Sequence, residues 1–184
     1  MYEGRSGKPY SWTFGNDMNG DGSAGNDLMY IPVGPGDVLF RGGALEEAEF
    51  FDFINRNKDL NVSRGGVTGR SASQGPWVNS FDVRVRQEIP SFFAGHKAEV
   101  VLDVFNIGNL FNKDWGQVEE IFFQSQGGQA RSFANFAGID PVTGKYIYTL
   151  IRNSAGVFTP EGFGLRDRRG ESRWAAQVTL RYKF

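Results

Sequence analysis

At 184 residues the chain is long enough for one domain with a core, and its 25 glycines and 17 phenylalanines point to many short strands joined by turns. A net charge of −1 provides no bulk field for nucleic acid, and the absence of cysteine excludes a disulfide scaffold or a thiolate metal centre. No run of about 18 apolar residues occurs, so no transmembrane helix is encoded; membrane-crossing strands remain open.

Met1 to Gly7 has no leader pattern and reads as the interior of a longer chain. Lys8 to Phe14 places Tyr10, Trp12 and Phe14 in alternation, which predicts a short strand. A stretch rich in Asn, Asp and Gly follows, from Asn16 to Asp27. Asp17, Asn19, Asp21 and Gly22 match positions 1, 3, 5 and 6 of a calcium loop, with the Ser23 carbonyl at position 7. The pattern fails at its last position, where Leu28 replaces a bidentate glutamate and Asn26 and Asp27 come slightly early. A polar glycine turn is the competing reading, because these residues favour turns unaided.

Leu28 to Val33 reads as a short apolar strand. Leu45 to Lys58 reads as a helix. Leu45, Ala48, Phe50, Phe51, Phe53 and Ile54 recur at helical spacing, with acids early and Arg56 and Lys58 late. Glu46 and Glu47 belong to its solvated face rather than to an acid–base pair. Asp59 to Gly75 reads as polar loop.

Trp77 to Ile89 is a long alternating strand. Trp77, Asn79, Phe81, Val83, Val85, Gln87 and Ile89 share one face, and Arg84, Arg86 and Glu88 lie on the other. Pro90 to Gly95 turns the chain. Ala98, Val100, Leu102 and Val104 then alternate with Lys97, Glu99, Val101 and Asp103, which predicts an antiparallel hairpin. His96, the single histidine, reads as a surface residue with no catalytic partner. Asn106 to Asn112 closes the strand. Val118 to Phe123 and Tyr146 to Ile151 read as strands and Asp140 to Lys145 as a turn. Arg166 to Arg173 reads as a solvated charged run rather than a phosphate patch.

The stretch from Arg173 to Phe184 alternates without a break. Trp174, Ala176, Val178, Leu180, Tyr182 and Phe184 face one way, opposite Arg173, Ala175, Gln177, Thr179, Arg181 and Lys183. At ~3.3 Å per residue and a tilt of roughly 40°, Trp174 to Phe184 crosses about 25 Å. That is the height of the lipid-facing band between the aromatic girdles of an outer-membrane barrel. A half-buried strand of a soluble sandwich alternates too, but the aromatic ends favour the membrane.

Four stretches, in order, resemble the C-terminal barrel region of TonB-dependent outer-membrane receptors, most closely the Oar-like group. They are Asn19 to Gly22 with Asn26 to Pro32; Pro76 to Gln87; Asp103 to Asn112 with Trp115 and Gly116; and Ser172 to Phe184. The resemblance implies an all-β, antiparallel transmembrane β-barrel fragment. Residues 1–184 would supply the last strands of a ~22-stranded barrel, with long extracellular loops, one containing a short helix. The plug and earlier strands would lie outside these residues. It implies a receptor or transporter rather than an enzyme, located in the bacterial outer membrane, with no required cofactor; the loop of Asp17, Asn19, Asp21, Ser23 and Asp27 is, by its oxygen spacing and apart from the resemblance, a candidate calcium site. Its partners would be outer-membrane lipid, an extracellular ligand, a TonB complex engaging the absent N-terminal part, and assembly machinery, but not nucleic acid. Trp174, Leu180, Tyr182 and Phe184 would form the signal that the machinery reads.

Physics agrees with a partial barrel. An open sheet edge in lipid leaves backbone groups unpaired, and a few strands cannot close. With Phe184 at the periplasmic end, residues 15–76 and 108–172 become long extracellular excursions and 90–95 a short periplasmic turn, the outer-membrane pattern. The competing class is a secreted calcium-dependent β-sandwich binding module.

Overall fold

The structure is a computed structural model that describes residues 1–90, 93, 95–121, 130–160 and 171–184, with backbone alone at 164–165. Strand accounts for 40% of it and helix for 14%, so the chain is mostly β as its patterning predicts. Among the described residues the strands form sheets of two or three, not a closed barrel. The chain divides into two compact units. One comprises Met1–Gly7, Pro76–Glu120 and Leu165–Phe184; the other comprises Lys8–Gly75 and Ile121–Gly164.

The second unit is built largely from the expected excursions. They are not loose loops, because their aromatic residues bury one another. Trp12, Phe14, Phe50, Phe53, Phe133 and Tyr148 form the centre of one core, each almost wholly buried. Trp12 and Phe133 meet edge-to-face at 5.4 Å, and Phe53 and Phe133 at 4.9 Å, the arrangement that ring quadrupoles favour. Strand Pro9–Trp12 pairs with Ser73–Gln74 and, in parallel, with Ala130–Arg131. Strand Tyr146–Leu150 lies between Ala134–Ile139 and Leu39–Phe40. Tyr30–Ile31 pairs with Gly66–Val67, so the expected apolar strand is shorter and the expected loop at 59–75 contains strands.

The helix runs Gly43–Arg56 and stops at Asn57, whose side chain accepts from the Leu60 N–H and starts the short helix Lys58–Asn61. Two expectations for this helix are corrected. Leu45 stays exposed to solvent, whereas Glu46 is buried. The Glu46 carboxylate accepts from the N–H of the N-cap residue Gly42 at 2.8 Å and from the Leu150 N–H at 3.0 Å. It thereby satisfies buried backbone donors that would otherwise be orphaned.

In the first unit, Val83–Pro90, Lys97–Phe105 and Ala175–Lys183 form an antiparallel ribbon with Lys97–Phe105 in the middle. Tyr2–Arg5, which shows no alternation, pairs with Val78–Phe81. The expected strand Trp77–Ile89 therefore breaks at Asp82. The Asp82 N–H donates to the Met1 carbonyl at 2.7 Å, and its carboxylate accepts from the Asn106 N–H at 2.8 Å. The chain changes pairing partner there.

Asn106 to Asn112 is more than a strand end. Ile107–Phe111 is a short helix entered through Asn106 at φ +50°, a left-handed conformation that asparagine tolerates. Asn106 Nδ2 donates to the Gly116 carbonyl at 2.9 Å. Gly116 has φ +65°, and a Cβ there would lie 1.8 Å from Asn106 Oδ1. The asparagines and Gly116 are thus one device for a tight return. Between Val118 and Phe123 the strand is Glu119–Glu120, and 122–123 lie outside the described residues. So do 91, 92 and 94 of the hairpin turn and 166–170 of the charged run.

Candidate functional site

The ribbon has two unlike faces, fixed by its register. Val85, Leu102 and Val178 form one cross-strand row, and Gln87, Val100 and Leu180 the next. Val83, Val104 and Ala176, then Ile89, Ala98 and Tyr182, extend the same face. The last strand is open on this face: Val178 is 65% exposed and Leu180 77%, and Phe184, just past its end, 96%. Soluble monomers rarely leave a contiguous apolar surface of this kind bare.

The opposite face is charged. Arg84 Nε meets Asp103 Oδ1 at 2.5 Å, Arg86 Nη2 meets Glu99 Oε2 at 2.6 Å, and Arg181 lies 3.8 Å from Glu99 Oε1. The two carboxylates are largely covered while the guanidiniums remain open to solvent. Thr179 and Gln177 join them around a cavity of about 230 Å³. A one-residue slip of any strand would exchange the charged and apolar sets, so the ion pairs and the alternation specify the same register.

The residues expected as the assembly signal lie on the apolar face. Leu180, Tyr182 and Phe184 alternate outward, and Trp174, just before the strand, is about half exposed. His96 does have a partner, contrary to expectation: Nδ1 lies 2.7 Å from the Tyr182 hydroxyl, tying the hairpin turn to the last strand.

The Asp17 loop folds as a polar turn whose carboxylates bind their own backbone. Asp17 accepts from the N–H groups of Gly20, Asp21 and Gly22 at 2.7, 3.2 and 2.8 Å. Gly20 and Gly22 have φ +79° and +85°, which explains why glycine stands there. Asp21 accepts from the Ser23 N–H at 2.8 Å and from Asn26 Nδ2 at 2.9 Å, and these bonds hold its carboxyl below its ordinary value. Asn19 Oδ1 accepts from the Asp21 N–H, and Asp27 Oδ2 from the Met18 N–H at 2.7 Å. Among the described residues no three acidic or histidine side chains converge as a metal cluster. The donor types still suit calcium, which also takes amide and carbonyl oxygens. Asn26 Oδ1 is buried and accepts no hydrogen bond among the described residues, an orphan that a cation would satisfy.

No protein-family model, no curated protein and no solved structure matches this chain.

Proposed function

We propose that the chain is the C-terminal part of the β-barrel of an Oar-like TonB-dependent receptor, which binds or takes up an extracellular ligand at the bacterial outer membrane. One observation carries the reading: a ribbon whose exposed face is aliphatic with aromatic ends, and whose other face is a ladder of arginines and carboxylates. Hydrocarbon is the solvent that suits the first face, and a polar lumen suits the second. The ribbon's outer strands then need neighbours, because lipid cannot satisfy their backbone groups; earlier strands of the barrel would provide them.

In this reading the aromatic unit is extracellular and available to ligand, and the Asp17 loop holds calcium through Asp17, Asn19, Asp21, Asp27 and the Ser23 carbonyl, with Asn26 beside them. Assembly machinery would read Trp174, Leu180, Tyr182 and Phe184. A TonB complex would act through an N-terminal part beyond these residues.

The test is a pair of neighbouring substitutions in the intact protein. An arginine at mid-membrane on a lipid-facing position costs about 2–4 kcal/mol. Leu180→Arg should therefore block folding into bilayers, while Thr179→Arg should be tolerated. Equal insertion of the two variants would reject the membrane assignment. A chain that stays monomeric in buffer without detergent would point instead to a secreted β-sandwich module.

A further inference from the structure

We propose that the ribbon-bearing unit also contains a saccharide site, a cavity of about 420 Å³ walled by Tyr2, Trp77, Phe81 and Trp115. The inference goes beyond the transporter reading and does not depend on it, since all these residues belong to one compact unit. The volume lies within the ~300–1,000 Å³ usual for small-molecule sites.

The walls are aromatic and open. Tyr2 is 62% exposed, Trp77 60% and Trp115 59%, unlike the buried rings of the other unit. Two of the rings are tied down by their own polar atoms before any ligand arrives, and the backbone beneath a third is anchored. The Tyr2 hydroxyl donates to Asn79 Oδ1 at 2.7 Å, and Trp77 Nε1 donates to the same oxygen at 2.9 Å. The Trp115 N–H donates to the Asn112 carbonyl at 2.9 Å, and its own carbonyl accepts from Asn109 Nδ2 at 3.0 Å. Groups fixed in advance lose little freedom on binding. The C–H face of a pyranose carries slight positive charge and fits the electron-rich face of such rings.

The polar lining decides between ligand classes. Asn79 Oδ1 is used twice, yet its amide N–H groups meet no acceptor among the described residues. Gln117 donates to the Lys113 carbonyl at 2.9 Å, and its Oε1 accepts nothing among the described residues. The Asp114 carboxylate is 66% exposed and meets Lys113 at 3.8 Å. Donors and acceptors thus stand together beside the rings. An acyl chain or a flat apolar ligand would bury them unpaired. Hydroxyls, each both donor and acceptor, satisfy both kinds.

The experiment titrates maltotriose, cellotriose and galactotriose into the intact protein in lauryldimethylamine oxide, a detergent without sugar, and reads tryptophan fluorescence. At least one trisaccharide should give a saturable change with half-saturation on the order of 1 mM. Trp115→Ala should weaken it by about tenfold or more, and Trp115→Phe, which keeps a ring, should restore it. Gln117→Ala should also weaken binding, and it provides a second test if Trp115→Ala does not fold. Dodecyl maltoside much tighter than maltotriose would identify the source as a glycolipid head group; equal affinities would identify free saccharide. No saturable change with any of the three sugars, or a change that Trp115→Ala and Gln117→Ala leave intact, overturns the proposal. So does saturation by dihexanoyl phosphatidylcholine without a response to sugar.

Discussion

Trp12, Phe14 and Phe53 in the aromatic unit keep 2%, 0% and 1% of their surface exposed, whereas Val178, Leu180 and Phe184 on the ribbon keep 65%, 77% and 96%. The first set is buried by segments distant in sequence. Phe133 packs on Trp12 across more than a hundred residues of chain, and the helix Gly43–Arg56 contributes Phe50 and Phe53. The second set is ordered by ladder hydrogen bonds and ion pairs on the opposite face. One unit makes its own apolar interior; the other presents its apolar residues to whatever surrounds it.

The largest effect should come from the unit with the interior. Trp12→Ala removes a buried ring, at a cost of about 3–5 kcal/mol. Hydrogen exchange should show loss of protection at Met29 and Thr13, which lie on the Trp12 backbone network. Val178→Ala, on the open face, should change stability in water by only about 0.5 kcal/mol. Similar costs for the two would erase the contrast between the units.

Deleting Phe184 comes next. It removes an apolar contact of about 1.5–3 kcal/mol at most, small for a whole barrel. If the last strand is the assembly signal, the level of the intact receptor at the cell surface should fall far more than its refolding in detergent does. Normal surface levels would reject the signal, and equal failure in detergent would make Phe184 a matter of stability alone.

How much of this was legible in the sequence depends on how local the cause is. The ribbon was legible because Val83–Pro90, Lys97–Phe105 and Ala175–Lys183 each alternate over many residues. The break at Asp82 was not, because its partners Met1 and Asn106 are distant in sequence. Tyr2–Arg5 carries no apolar pattern, and without it the wall of the Trp77 cavity was invisible. Two-residue strands such as Gly66–Val67 and Ala130–Arg131 are too short for any period and exist through long-range pairing. Glu46 was misread for the same reason, since the donor that buries it, the Leu150 N–H, lies 104 residues away. The Asp17 loop was legible as a turn; that its carboxylates would accept from their own backbone was not.

The smallest effects concern that loop. Calcium should increase protection of the Gly22 and Ser23 amides, and Asp21→Ala should abolish the increase; equal protection with calcium and with chelator would remove the ion from the account. pH acts in a known direction. The Asp21 carboxyl is held below its ordinary value of 3.8, first by the Ser23 N–H and then by Asn26. A depressed folded-state value means the contribution is fully present above the ordinary value and is lost as pH falls through the lowered one. Protection of Ser23 should therefore persist at neutral pH and weaken only below about pH 4, and a loss centred at higher pH would contradict the assignment.

The most direct test of the central contrast introduces single cysteines into the last strand, which has none of its own, with any cysteine elsewhere in the intact protein first replaced by serine. Spin labels at 177 to 182 in the intact protein, reconstituted in bilayers, report oxygen dissolved in hydrocarbon against a nickel reagent confined to water. The account predicts an alternating pattern: high oxygen access at 178, 180 and 182, and high nickel access at 177, 179 and 181. Nickel access at all six positions, or the opposite alternation, would contradict it.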